Sequence, residues 1–168
     1  MSETGESGDP ALPIGPPVRG DGAQMWEVAR AAGGLDVNSS YAYVLWARDF
    51  WATTAVAHDG DRVAAYCTGY LRPDAPDTYF VWQVAVHPDY RRRGLGLALL
   101  DELVDRTGAV ALEATVTAGN TASQRLFAAF AASRGAELRT TPLFEASDFP
   151  DDHEPEALLR LEPLSSRR

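Results

Sequence analysis

No lysine occurs anywhere in the 168 residues, and all fifteen basic side chains are arginine. That absence removes lysine Schiff-base chemistry and the lysine of a P-loop from consideration. Cys67 is the single cysteine, so no disulfide can form within the chain. It sits in the apolar run Ala64-Ala65-Tyr66-Cys67, where a packed core thiol is the reading over a nucleophile, and a reducing cytoplasm suits it. Three scattered histidines and one cysteine give no ligand spacing, so no metal is expected. No uncharged apolar run approaches the roughly 20 residues that cross a bilayer. Glu3 and Glu6 stand where a secretory leader would carry basic residues, so the expectation is a soluble cytoplasmic protein. Positive charge is also short: 24 acidic against 15 basic residues give a formal net charge of −9. Nucleic acid, which needs positive surface, is a poor partner, whereas a small cationic molecule is compatible.

What the chain does contain is ordinary globular composition, 45% hydrophobic and 23% charged, at a length suited to one domain. Residues 1–19, rich in Gly, Ser, Glu and Pro, read as a flexible tail, 20–163 as the folded domain and 164–168 as a second tail. Asp21 can cap a helix that ends at Gly33-Gly34, and a polar loop, Leu35 to Tyr41, leads to a second helix through Tyr43 to Phe50. Strands Thr53 to His58 and Val63 to Leu71 flank the turn Asp59-Gly60-Asp61 as a hairpin. After a turn at Pro73 to Asp77 come a strand (Thr78 to Val86), a helix (Gly94 to about Arg106), a strand (Val110 to Val116) and a helix (Asn120 to about Arg134). Short late strands are expected near Leu143 and over Leu158 to Leu161. This order implies an α/β architecture, a mixed sheet with helices on both faces.

The run Arg91-Arg92-Arg93-Gly94-Leu95-Gly96-Leu97 joins the strongest strand to a helix. Unpaired amides and the macrodipole make a helix N-terminus an anion site; the two glycines let a pyrophosphate approach and the arginines add charge. A dinucleotide fingerprint would need a third glycine where Leu99 stands, and a P-loop would need the missing lysine.

Arg91, Gly94 and Gly96, preceded by Val84-Ala85-Val86-His87-Pro88, resemble the Gln/Arg-x-x-Gly-x-Gly/Ala signature of the GNAT superfamily of acyl-CoA N-acyltransferases. Asn120, Ser123, Leu126 and Phe127 are similar to its Asn-x-x-Ala/Ser-x-x-Leu-Tyr helix, with Phe127 in place of the tyrosine. Phe127 has no proton to give, so another group or water must protonate the departing thiolate. The resemblance implies a mostly antiparallel mixed sheet and acetyl-CoA as cosubstrate. It implies a cofactor site over Val84, Val86, Arg91, Arg92, Arg93, Gly94, Leu95, Gly96, Leu97, Asn120, Ser123 and Phe127. In it the Val84 amide would polarise the acetyl carbonyl and Val86 would pair with pantetheine, since strand amides freed by a splay or bulge can serve as an oxyanion hole.

Three further segments, 35–43, 77–86 and 142–144 with 153–156, resemble the diaminobutyrate acetyltransferase family of the ectoine pathway, over about residues 20 to 163. That implies acetylation of the 4-amino group of L-2,4-diaminobutyrate by a homodimer. A substrate with two ammonium groups and a carboxylate calls for acidic partners and a donor. Asp36 and Glu156 are the acidic candidates, with Asn38 and Tyr41 as polar neighbours and Trp82 as an apolar wall or cation platform. The attacking amine must lose a proton, which Glu156, Asp36 or a held water could take, with His153 as a second candidate base or substrate contact. From the residues alone, Asp36 could equally be a helix cap, Trp82 a core residue, Glu156 a solvated strand charge and His153 a surface residue; His87 reads as structural. Two other functions are compatible: acetylation of a different small amine, and a non-catalytic acyl-CoA-binding module.

Overall fold

The computed structural model describes residues 11–165. Seven strands, β1 (Ile14–Gly15), β2 (Thr54–Asp59), β3 (Arg62–Arg72), β4 (Ala75–Val86), β5 (Ala111–Val116), β6 (Glu137–Phe144) and β7 (Glu156–Glu162), accompany four helices: α1 (Asp21–Ala32), α2 (Ser40–Asp49), α3 (Leu95–Thr107) and α4 (Thr121–Arg134). The strands form one sheet in the order β1-β2-β3-β4-β5-β7-β6. Its pairings are antiparallel except β4 with β5, which are joined by the crossover through α3.

Alternation along β2 and β3 explains why both strands read as continuous apolar runs. Ala55, Ala57, Ala65 and Cys67 face one core with α3 and α4, whereas Val56, Val63 and Tyr66 face a second core with α1 and α2. Cys67 is fully buried, and burial pushes its thiol up to about 12, so it packs as an inert apolar group. Arg134 is wholly buried at the end of α4, where it pairs with Asp101 at 2.7 Å and Asp105 at 2.8 Å and donates to the Ser165 carbonyl at 3.0 Å. It thereby pins α4 to α3 and to the last described residues.

Four sequence expectations need correction. The tail proposed over 1–19 is not all tail: Ile14 and Gly15 pair with Ala57 and Val56, and the His58 amide bonds to the Pro13 carbonyl. Two residues at a sheet edge carry too little pattern to be seen in a proline-rich stretch; residues 1–10 lie outside the described residues. At the other end Leu164 is buried and its amide bonds to Val110, so the fold runs past 163. Asp21 is not an N-cap. It opens α1, and its buried carboxylate accepts from the Val18 amide at 2.8 Å and faces His58 Nε2 at 3.0 Å. Finally, the short strand expected near Leu143 is the eight-residue β6, whose earlier part went unread because an exposed edge strand has no apolar alternation and tolerates Pro142.

Candidate active site

The sheet opens where β4 leaves β5. Their parallel pairing ends at Val81 with Ala114, and beyond it β5 stays with β7 while β4 continues to Val86 paired with β3. A bulge sits at the same place: Gln83 faces Thr68 but Val81 faces Gly69, which leaves Trp82 as the extra residue. Gly69 is required there, since a Cβ on it would lie 2.1 Å from the Phe80 carbonyl oxygen. Because the His87 amide bonds back to Ala64 on β3, alternation turns the main-chain groups of Val86 and Val84 to the other edge, where β5 has departed. Two contiguous clefts, of about 810 and 380 Å³, run along this edge and share Gly34, Leu35, Val84, Asn120, Ala122 and Ser123.

The smaller cleft is walled by the arginine-glycine turn. Gly94 is left-handed (φ 69°) and precedes α3 without a side-chain cap, so the first-turn amides of Leu95, Gly96 and Leu97 are left for a ligand. By contrast α4 is capped from within: Asn120 Oδ1 accepts from the Ser123 amide at 3.1 Å. Among the described residues Arg92 is the one non-glycine residue held at positive φ (65°), a local strain of about 1 kcal/mol placed at the mouth of the turn. Gly96 is small for a packing reason as well, because a Cβ would meet the Leu126 side chain of α4 at 3.0 Å. The three arginines diverge: Arg91 donates to the Ala32 carbonyl at the end of α1 at 2.6 Å, Arg92 lines the cleft, and Arg93 stacks on Tyr90 at 5.2 Å. Phe127 is buried and lines the larger cleft with a ring that carries no proton.

The larger cleft gathers residues from both ends of the chain. Asp36 and Asn38 come from the loop between α1 and α2, Trp82 from the bulge, His153 from the loop before β7 and Glu156 from its first position. His153 Nδ1 lies 2.6 Å from the Glu154 carbonyl, an acceptor only, so Nδ1 carries the proton and Nε2 faces the two carboxylates. Those distances are 3.6 Å to Asp36 and 3.7 Å to Glu156. The Glu154 carbonyl, and then the charges of Glu156, Asp36 and Asp151, hold the imidazole above its usual range against partial desolvation. Phe149 stacks on the ring at 4.0 Å and fixes its plane.

Asp36 is not a helix cap, for Ser39 holds that position and Asp36 keeps a carboxylate 97% exposed, while that of Glu156 is 17% exposed. Trp82 is no core residue: it is half exposed and rests against Trp46 and Tyr70. Tyr41 is not brought to the cleft; it points outward from the first turn of α2, 70% exposed, and the tyrosine that reaches the loop is Tyr43. Sequence reasoning passed over Gln83 and Phe149. A lone amide inside the apolar strand Thr78 to Val86 was the signal for Gln83; Phe149 had none.

Residues 24–131 match the model of the acetyltransferase (GNAT) family. An L-2,4-diaminobutyric acid acetyltransferase of Streptomyces coelicolor is 53% identical, over 92% of this chain and 95% of that one. Its counterpart in Nocardia farcinica is 51% identical over 89% of this chain and 79% of that one. The chain belongs to the diaminobutyric acid acetyltransferases of the GNAT family. Among solved structures, the diaminobutyrate acetyltransferase EctA of Paenibacillus lautus, in complex with its substrate L-2,4-diaminobutyric acid and coenzyme A, superposes with a TM-score of 0.85. It is 33% identical, over 94% of this chain and 98% of that one. The GNAT fold is thereby shown: a mixed, mostly antiparallel sheet with helices on both faces. Among the described residues no group of His, Cys, Asp or Glu could hold a metal ion, and no helix is long and apolar enough to cross a membrane.

Proposed function

We propose that this chain transfers the acetyl group of acetyl-CoA to the 4-amino group of L-2,4-diaminobutyrate, releasing N4-acetyl-L-2,4-diaminobutyrate and CoA, as a step of ectoine biosynthesis. The observation that carries the reading is a cluster of Asp36, His153 and Glu156 in the cleft that continues into the uncapped turn of α3. The relatives named for this substrate support it.

The residues present fit acetyl-CoA: a glycine turn with free amides, then an unpaired strand edge at Val84 and Val86. When bound, acetyl-CoA supplies an activated thioester. The amides of Leu95, Gly96 and Leu97 hold the pyrophosphate, with Arg92 adding charge; Val86 aligns the pantetheine arm, and the Val84 amide donates to the acetyl carbonyl oxygen. Asn120, Ser123 and Phe127 wall the other side. Asp36 and Glu156 take the two ammonium groups in charge-assisted hydrogen bonds, and Trp82 covers the methylenes. An alkylammonium has a reference pKa of about 10.4 and must be deprotonated to attack. Glu156, the less exposed carboxylate, accepts that proton directly or through a water. Asn38 and His153 complete the lining, and Arg91 and Arg93 brace the turn.

The working unit is the folded body from Ile14 to Leu164, acting in the cytoplasm as a homodimer. Apolar residues left exposed on the outer face of α2, Tyr41 and Val44 one turn apart, support such a contact. The test of the function is mass spectrometry and NMR of the product formed from acetyl-CoA and diaminobutyrate. A single acetyl on the 4-amino nitrogen is expected. Acetylation at the 2-amino nitrogen, faster turnover of a polyamine, or CoA binding without turnover would each overturn it.

A further inference from the structure

Gln83 lies between Trp82 and Val84 on β4 and borders the larger cleft, yet its side-chain amide is engaged in the core under α2, where the residue is 7% exposed. Its Oε1 accepts from the hydroxyls of Tyr43, at 2.9 Å, and Tyr66. Its Nε2 donates to the main-chain carbonyl of Asp36 at 3.0 Å. The amide orientation is fixed by chemistry, since the Asp36 carbonyl can only accept and both phenols have protons to give. Tyr43 carries the connection one step further, because its hydroxyl accepts from the Asn38 amide at 3.4 Å.

These bonds matter because the other holds on the segment are weaker or lie at its ends: Leu35 packs on the second core, the Asn38 side chain reaches the Asp36 carbonyl at 3.5 Å, and His153 faces the Asp36 carboxylate at 3.6 Å. The segment follows two positive-φ glycines, Gly33 and Gly34, and enters α2 at Ser39 with no side-chain cap bond. The Asp36 carboxylate is 97% exposed, so packing does not place it. Its position is set through its main chain, and the firmest bond on that main chain comes from Gln83. We propose that Gln83 is a positioning residue whose buried amide clamps the Asp36 to Asn38 segment onto β4 and so sets where the amine-binding carboxylate stands. This rests on the assignment of Asp36 to amine recognition. The clamp ties the acceptor side to the strand that carries Trp82 and Val84, so one residue keeps the two halves of the groove in register. A residue that merely fills the core would affect both halves alike.

Gln83→Glu separates the two roles. The new carboxylate still accepts from both tyrosines but loses the donor to the Asp36 carbonyl and places lone pairs against it; once protonated, its O–H restores the donor. The KM for diaminobutyrate is expected to rise about tenfold with the KM for acetyl-CoA unchanged. The ratio of variant to wild-type kcat/KM should recover as pH falls, and amide exchange at Asp36 to Asn38 should accelerate. Tyr43→Phe, a gentler cut in the same chain of bonds, should raise the diaminobutyrate KM by about threefold. Equal losses toward both substrates, or a pH-independent ratio with unchanged exchange in this segment, would overturn the proposal. If the wild type acetylated no diaminobutyrate, the functional reading would fail, while exchange in Gln83→Glu would still decide whether the clamp exists.

Discussion

At the end of the groove assigned to acetyl-CoA, what the protein offers is main chain: the amides of Leu95 to Leu97 and the free edge at Val84 and Val86. At the acceptor end it offers side chains, Asp36, His153 and Glu156, delivered by segments 120 residues apart in number. The first arrangement is a property of one turn and needs only that no side chain intrude. The second exists only when the fold brings two loops together, and its exposed carboxylate at Asp36 depends on a buried amide to keep its place. One consequence is a difference in fragility: the donor end fails when a side chain is added, the acceptor end when one is altered or its support removed.

The sharpest break of that comparison is at Gly94. With φ at 69° and no atom within 4 Å of a new Cβ, Gly94→Val meets no clash but forces the turn out of its left-handed conformation. Acetyl-CoA affinity should fall about 100-fold by calorimetry, the equivalent of about 2.7 kcal/mol, in a protein that still folds. Unchanged affinity would remove the turn from the cofactor site. At the other end, Asp36→Asn and Glu156→Gln should each lower kcat/KM for diaminobutyrate about tenfold, or about 1.4 kcal/mol, and leave acetyl-CoA affinity alone. Loss of acetyl-CoA binding in either would erase the division between the two ends.

The smallest effect concerns His153, whose folded pKa is raised above its ordinary 6.5. A raised value means that the imidazolium, held first by the Glu154 carbonyl and then by the charges of Glu156, Asp36 and Asp151, adds stability fully below pH 6.5 and that this is lost as pH rises through the folded value. The same deprotonation frees the carboxylates for the substrate's ammonium groups. The KM for diaminobutyrate should therefore fall about threefold across that limb, and His153→Asn should flatten it. An identical limb in the variant would assign the titration to another group.

The contrast also explains what could be read in advance. The turn from Arg91 to Leu97 and the periodic helices around it are local, so the sequence shows them with boundaries within a residue or two. Asp36 and Glu156 were legible only through segments shared with a family, because nothing in a linear pattern says that residues 36 and 156 meet. Tyr41 was placed at the pocket as a neighbour of the polar loop, but only α2's rotation decides which of Tyr41 and Tyr43 faces inward. β1 and most of β6 were missed for the opposite reason: β1 is two residues long and β6 is exposed at nearly every position, so neither carries the alternation that marks a strand with one buried face. Gln83 was overlooked as an interruption of an apolar strand, where a buried amide with three partners is better read as a junction.

The central claim, that two carboxylates from opposite ends of the chain form one acceptor pocket, is tested most directly by a double-mutant cycle on kcat/KM for diaminobutyrate. Asp36→Asn combined with Glu156→Gln should lose less than the sum of the single losses, with a coupling of at least about 0.5 kcal/mol, because both act on the same bound substrate. Additive losses, or near-normal turnover by both folded single variants, would contradict it.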